Sequence, residues 1–295
     1  MTKTLPAGVN GTVTCWPAPA KLNLFLHVTS RRSNGYHELQ TLFQLLDWGD
    51  DVCIEVLNEP QISRPRASYP VAERDDLVVK AALLLQAETS SRHGARIEVR
   101  KRIPTGAGLG GGSSDAATVL LVLNQLWGCD LDLNHLASIG LRLGADLPVF
   151  IRGRSALGTG IGDEINPVEL GERHYLLVVP EFPISTQAIF NDPDLPRNSA
   201  RLSVRQALSG GGRNDCELVV SKRFPAFARI LEELQELGDA RMTGTGSAIF
   251  IGMPDEKTVK SAAEKIKCRY NVRAVCGVDK SPLHELLETG GIRGQ

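Results

Sequence analysis

Apolar and polar positions change period along the chain, and each period predicts an element. Val52, Ile54 and Val56 alternate with Cys53, Glu55 and Leu57, the two-residue rhythm of a strand. Ile97 and Val99 alternate with Arg96, Glu98 and Arg100, which predicts a half-buried strand over 95–100. Further strands are predicted at 12–16, 22–29 and 39–48, the first two divided by Pro17 and Pro19. Pro60, Pro65 and Pro70 make 59–74 a loop. Helices are expected at 77–87, along the apolar run 116–127, and at 134–143, where Gly144 supplies the stop. A short strand at 149–151 and a glycine-punctuated connection over 154–162 follow.

Near Pro167 the pattern restarts. Strands at 175–179, 248–252 and 272–278 are interspersed with helices at 185–190, 214–222, 226–237 and 257–267. Loops are expected at 192–198 and at Gly210-Gly211-Gly212, and a small-residue turn at 241–246. The alternation lacks the even rhythm of a doubly wound parallel sheet. The expected class is α+β in two lobes meeting near 160–170, with domains over 1–165 and 166–295.

One stretch fits neither rhythm. Over 103–117 the chain reads IPTGAGLGGGSSDAA, with Gly106, Gly108, Gly110, Gly111 and Gly112 close together. Glycine lets backbone approach a ligand closely. A glycine run that feeds a helix start presents unpaired N–H groups and the positive end of the helix dipole. That is an anion site, and phosphate is the usual anion. The alternative, a flexible linker, seldom runs straight into so apolar a helix. No Gly-Lys-Ser/Thr follows, so this is not a Walker loop; nor does it have the context of a dinucleotide fingerprint. The Ser113 and Ser114 hydroxyls add donors, and Ser114 is a candidate ligand for Mg²⁺ held between phosphates.

Composition narrows the partners. The chain has 295 residues, 42% hydrophobic and 23% charged, with net charge −1. No field favours nucleic acid or an anionic membrane. The basic cluster 96–102 is broken by apolar strand positions, unlike the stripe a nucleic-acid binder needs. The start of the chain has no apolar leader core, and no run is long enough to span a bilayer. Cys15, Cys53, Cys129, Cys216, Cys268 and Cys276 show neither C-x-x-C spacing nor a histidine cluster. Neither a zinc site nor a disulfide framework is expected, and a reducing cytoplasm fits.

Lys21 opens an apolar strand, with Asn23 and Phe25 on its face. Taken singly it is a solvated strand-end charge. Asp146 lies between a helix end and Pro148, where a turn or cap acid is equally at home. Beside a phosphate loop the two acquire a use. Phosphoryl transfer needs donors around the phosphates, a cation near the transferring group and an acceptor for the nucleophile's proton. Tyr36 and His37 follow the Ser33-Asn34-Gly35 turn; they read either as a packing pair or as rings that stack on a planar ligand.

Pro19-Ala20-Lys21-Leu22-Asn23-Leu24, Asn34-Gly35-Tyr36-His37, the stretch 104–117 and Gly144-Ala145-Asp146-Leu147-Pro148-Val149-Phe150 occur in that order. On these segments the chain resembles the GHMP small-molecule kinases over nearly its whole length. Ile189-Phe190, Asn214-Asp215-Cys216-Glu217 and Thr243-Gly244-Thr245-Gly246-Ser247 extend the likeness. The resemblance implies a ribosomal S5 domain 2-like N-terminal lobe and a ferredoxin-like C-terminal lobe with the active site between them. It implies ATP and Mg²⁺. The Asn-Gly-Tyr-His and Ala-Asp-Leu-Pro-Val-Phe segments imply an acceptor too: the 2-hydroxyl of a cytidine-diphosphate-linked methylerythritol, in the non-mevalonate route to isoprenoid precursors. By the same resemblance Lys21 and Asp146 are the catalytic pair, and Asn23 contacts substrate near the reacting hydroxyl. Tyr36 and Phe190 sandwich cytosine and His37 reads its edge. Pro104, Gly106, Gly108, Leu109, Gly110, Gly111, Gly112, Ser113 and Ser114 hold the ATP phosphates. Thr243–Ser247 is a candidate floor for the cleft. Asp76 stands where such kinases often carry Asn beside the adenine; a carboxylate accepts but does not donate. A monomer or weak dimer is expected. Sister kinases acting on homoserine or mevalonate-type acids are the alternative, and they have no base to stack.

Overall fold

The computed structural model describes residues 11–66 and 69–289. The first ten residues of the N-terminal stretch read above for a leader lie outside them.

A long hairpin starts the fold. β1 (Val13–Arg31) and β2 (His37–Leu57) pair antiparallel from Val13↔Glu55 to Arg31↔His37. The pattern of the sequence divides each into two strands; the structure joins them. Pro17 and Pro19 break nothing because β1 has β2 as its single strand partner, so a missing N–H faces away from the ladder. The prolines are followed by a register shift between Pro19 and Lys21. There β1 turns to the glycine stretch instead: Lys21 N donates to Leu109 O at 3.1 Å. Such irregularities re-aim side chains beside functional sites.

Next come β3 (Ile62–Ser63), a 3-10 turn at Glu73–Asp75, α1 (Leu77–Thr89), β4 (Gly94–Arg100), α2 (Gly111–Leu126), α3 (Leu133–Leu141), α4 (Leu147–Arg152), β5 (Ala156–Thr159) and β6 (Glu164–Pro167). The second half adds β7 (Arg173–Val178), α5 (Thr186–Asn191), α6 (Val204–Leu208), α7 (Asp215–Arg223), α8 (Pro225–Gln235), β8 (Ala240–Met242), β9 (Ile249–Met253), α9 (Glu256–Ile266), β10 (Val272–Val278) and α10 (Pro282–Glu288). The mixed α+β class stands. The two halves share one sheet, in the order β3-β4-β2-β10-β7-β9-β8, with β1 and β5 also on β2 and β6 on β5. The seam is β2–β10, at Leu46↔Gly277 and Leu45↔Val278. One apolar core packs α1–α4 onto the first half's strands; another packs α7, α8 and α9 onto β7–β9.

Two expectations are corrected. Residues 149–151 form no strand: they lie in α4, with Pro148 in its first turn and Gly153 left-handed at its end (φ 64°). Proline pre-sets the first helical turn, and Val149, Phe150 and Ile151 are all buried, so packing overrides their strand propensity. Cys15 and Cys53 form a disulfide. They lie directly opposite in the β1–β2 ladder, a neighbourhood that a separation of 38 residues does not announce. Cys216, Cys268 and Cys276 remain thiols.

Candidate active site

The glycine stretch follows β4, lines a cavity and starts α2. Gly106, Gly108 and Gly110 all have positive φ (72°, 77° and 73°), so the run of glycines is required by the backbone path. Gly110 is the residue before α2, and Gly111, Gly112 and Ser113 form its first turn. Their N–H groups have no carbonyl behind them in the helix. The stretch is held on both sides. Asp50, fully buried, accepts from Arg102 N, from Ile103 N at 2.7 Å and from Lys101 Nζ at 2.5 Å. The Thr243–Ser247 turn closes the other side: Ala248 N donates to Ala107 O at 3.0 Å. A Cβ on Gly108 would stand 2.3 Å from Thr243 O, and one on Gly244 would stand 2.7 Å from Gly108 O. Gly108→Ala therefore combines backbone strain with a clash against main chain. It is expected to cost about 2 kcal/mol of stability and to raise KM for ATP, as measured by thermal denaturation and initial rates.

Lys21 and Asp146 meet across this cavity. The Lys21 side chain is 3% exposed, and its Nζ lies 3.5 Å from Asp146 Oδ2. Nζ also donates to Asn23 Oδ1 at 2.5 Å and to Gly108 O at 3.0 Å. The ammonium is thus held in part by the glycine stretch itself. Asn23 is fixed in turn: its Nδ2 donates to Thr41 Oγ1 at 2.8 Å, and its backbone N donates to Thr243 Oγ1 at 2.8 Å. Asp146 precedes α4 but makes no capping bond with its side chain. Its carboxylate, 38% exposed, stays open to the cavity. The cap reading of Asp146 fails on that point, as the solvated-charge reading of Lys21 fails on burial. Phe25 departs from their face into a separate apolar cluster with Leu42 and Leu157, within a second register shift between Asn23 and Leu26.

The cavity measures about 530 Å³, within the range of small-molecule sites. Lys21, Asn23, Pro104, Gly106, Gly108, Leu109, Gly110, Gly111, Gly112, Ser113, Asp146 and Phe190 line it. Ser114, Tyr36 and His37 are not among its walls. Ser114 is buried and donates through Oγ to Pro19 O at 2.6 Å. Its hydroxyl secures β1 to α2 instead of facing the cavity. Tyr36 is 59% exposed. His37 is buried and stacked on Phe190, with centroids 5.3 Å apart and planes at 27°. Phe190 therefore meets His37, not Tyr36, across the ring pair. Burial, then the charges of Arg197 and Arg31, hold the His37 pKa below its ordinary value.

Among the wall residues, Thr186 and Tyr69 carry no signal in the sequence. Thr186 and Thr245 join hydroxyl to hydroxyl at 2.9 Å, linking α5 to the second glycine turn. Asn214 braces that turn through Met242 O (2.9 Å) and Gly244 O (2.8 Å). Toward the other end, Tyr69, Asp76 and Lys101 form the wall. Asp76 is buried; it caps α1 through Val78 N at 3.1 Å, accepts from Tyr69 Oη at 2.5 Å and pairs with Arg64 at 2.6 Å. Its carboxylate is thus taken up by protein partners. Lys101 Nζ also reaches Asp115 at 2.7 Å. Burial opposes the Lys101 charge, but Asp115 and Asp50 outweigh it and raise its pKa. Burial likewise pushes the Asp115 carboxyl up, against the pull of Lys101.

Mg²⁺ finds no protein cage here. Among the described residues no three His, Cys, Asp or Glu side chains stand together as a metal site. Asp76 and Asp115 are committed to cations, and the Ser114 hydroxyl donates to backbone. The donor set does not fit an ion held by protein ligands.

Comparison with known proteins gives the family. The family described as GHMP kinases N terminal domain matches residues 76–154, and GHMP kinases C terminal matches 195–272. A 4-diphosphocytidyl-2-C-methyl-D-erythritol kinase of Halorhodospira halophila is 49% identical, over 92% of this chain and 96% of that protein. A kinase of the same name from Pseudomonas paraeruginosa is 45% identical over 92% and 97%. The solved structure of a 4-(cytidine 5'-diphospho)-2C-methyl-D-erythritol kinase matches with a TM-score of 0.78 at 32% identity, covering 90% of this chain and 99% of that one. A homoserine kinase from Cytophaga hutchinsonii shares the fold, with a TM-score of 0.68 at 14% identity over 95% and 98%.

Proposed function

Since the chain belongs to the GHMP kinases, and within them to the 4-diphosphocytidyl-2-C-methyl-D-erythritol kinases, we propose that its cleft works as follows. The reaction is ATP-dependent phosphorylation of the cytidine-linked methylerythritol at its 2-hydroxyl, in the non-mevalonate route to isoprenoid precursors. The amides of 106–113 cradle the triphosphate. Asp146 orients the acceptor hydroxyl and takes its proton as the new O–P bond forms to the γ-phosphorus and the bond from that phosphorus to the β–γ bridging oxygen breaks, releasing ADP. Lys21 carries positive charge to the transferring phosphoryl, where little covalent help is needed and charge stabilisation dominates. Asn23 holds the ammonium in place and contacts the substrate beside the reacting hydroxyl. Phe190 and Tyr36 flank cytosine, with Tyr36 swinging in from its exposed turn, and His37 reads the base.

The observation that carries this reading is the 3.5 Å approach of Lys21 Nζ to Asp146 Oδ2 on the wall shared with the glycine loop. Mg²⁺ would come as part of the metal–nucleotide substrate, with no set of protein ligands for it among the described residues. The N-terminal domain spans 1–165 and the C-terminal domain 166–295; the two family matches fall on either side of that boundary. The enzyme acts as a monomer or weak dimer. No helix among the described residues is long and apolar enough to cross a membrane. A cytoplasmic setting rests on the metabolic role, since the Cys15–Cys53 bond removes the cysteine argument for it.

ADP release tests the reading directly. With ATP, turnover is expected with the cytidine-linked methylerythritol and none above background with homoserine or mevalonate. Turnover of either acid in preference to the cytidine compound would move the chain to a sister activity.

A further inference from the structure

Arg197 follows the 192–196 loop beyond α5, and its guanidinium is used in an unusual way. Nη2 donates to the carbonyls of Asp192 (2.7 Å) and Phe190 (3.2 Å), and Nη1 to that of Leu195 (3.0 Å). Nε donates to Nε2 of His37 at 3.1 Å. Among the described residues no carboxylate pairs with it. Three contacts thus gather the end of α5, and the fourth ends on an imidazole nitrogen.

That fourth contact settles a tautomer. A guanidinium donates and never accepts. Nε2 of His37 must then offer its lone pair, so the neutral ring carries its proton on Nδ1. Burial, Arg197 and Arg31 all disfavour a second proton. Nδ1 has no hydrogen-bond partner among the described residues, and the ring lies against Phe190, a wall of the cavity. The ring therefore keeps one unused donor next to the wall assigned to cytosine.

We infer that Arg197 is a positioning residue for base recognition: it locks His37 as an Nδ1–H donor toward the O2/N3 acceptor edge of the pyrimidine. The inference rests on the assignment of His37 to the base. Without Arg197 either ring nitrogen is free to hold the proton. Molecules with a bare Nδ1 then set a lone pair against an acceptor, and base binding is lost in those molecules.

Long-range proton–nitrogen correlation spectra of the full chain report which imidazole nitrogen is protonated. In the wild type, His37 is expected as the Nδ1–H tautomer at neutral pH, with its Nδ1 resonance shifting as CDP is added. In Arg197→Met an Nε2–H signal should emerge. KM for the cytidine substrate should rise about tenfold while KM for ATP stays within about twofold. Arg197→Lys returns one donor and should recover part of that loss. An Nε2–H tautomer in the wild type overturns the inference without any variant having to fold. So does an equal loss toward ATP and cytidine substrate, the mark of a merely loosened loop. His37 resonances untouched by CDP would instead remove the assignment of His37 to the base, and the inference with it.

Discussion

Asp146→Asn is expected to lower kcat by about a thousandfold while KM for ATP changes by no more than about threefold. The substitution keeps shape and removes only the charge and the ability to take a proton. An amide oxygen still accepts a hydrogen bond, so the variant retains part of the orienting role. Asp146→Ala removes that as well and should be slower again. Folding ought to survive both changes. The carboxylate makes no cap bond to α4 and is more than a third exposed, so its ion pair with Lys21 contributes little to stability. Thermal denaturation within a few degrees of wild type, together with initial rates at saturating ATP, separates a chemical defect from a structural one. Turnover close to wild type in Asp146→Asn would leave the hydroxyl's proton without this acceptor and end the role.

The residues around that carboxylate are legible in the sequence to different degrees. The glycine run announces itself: Gly106, Gly108 and Gly110 carry the positive φ values that the spacing suggests, and the anion-site reading follows. Lys21 alone says nothing. Its burial depends on a register shift in β1 and on a loop 87 residues away offering the Gly108 carbonyl. Long-range pairing of that kind has no local trace. The same holds for Cys15 and Cys53, which become neighbours once β1 pairs with β2.

Short elements escape the sequence for a related reason. β3, β5, β6 and β8 have two to four residues each, too few for a period to show. At 149–151 the period misleads, because three buried apolar residues in a row fit a strand or a helix equally well. Pro148 and Gly153, at either end of α4, are the available signal. Ser114 shows a different limit. Its neighbour Ser113 faces the cavity, but one residue further along the helix the side chain turns inward to Pro19. Composition cannot choose between adjacent hydroxyls; helical phase can.

Lys21→Met should be the more damaging change, lowering kcat by about a thousand- to ten-thousandfold. The apolar side chain fits the volume, yet the transferring phosphoryl loses its cation. Two acceptors, the buried Asn23 Oδ1 and the half-buried Gly108 carbonyl, lose their donor as well. Each orphaned acceptor costs about 1–3 kcal/mol, and removing a buried charge returns part of that. Net destabilisation should therefore be modest, and calorimetry can check it alongside turnover. Lys21→Arg is the sharper control. It keeps the charge, but a Cβ added to Gly110 would already stand 3.1 Å from Lys21 Cε, which shows how closely the loop backbone wraps the side chain. A planar guanidinium has no room there, and its fork does not match a point-charge site. Arginine is accordingly expected to rescue less than about a tenth of wild-type kcat. Full rescue by arginine would mean that positive charge anywhere near the loop suffices, and that the tight seat formed by Asn23, Gly108 and Gly110 has no part in catalysis.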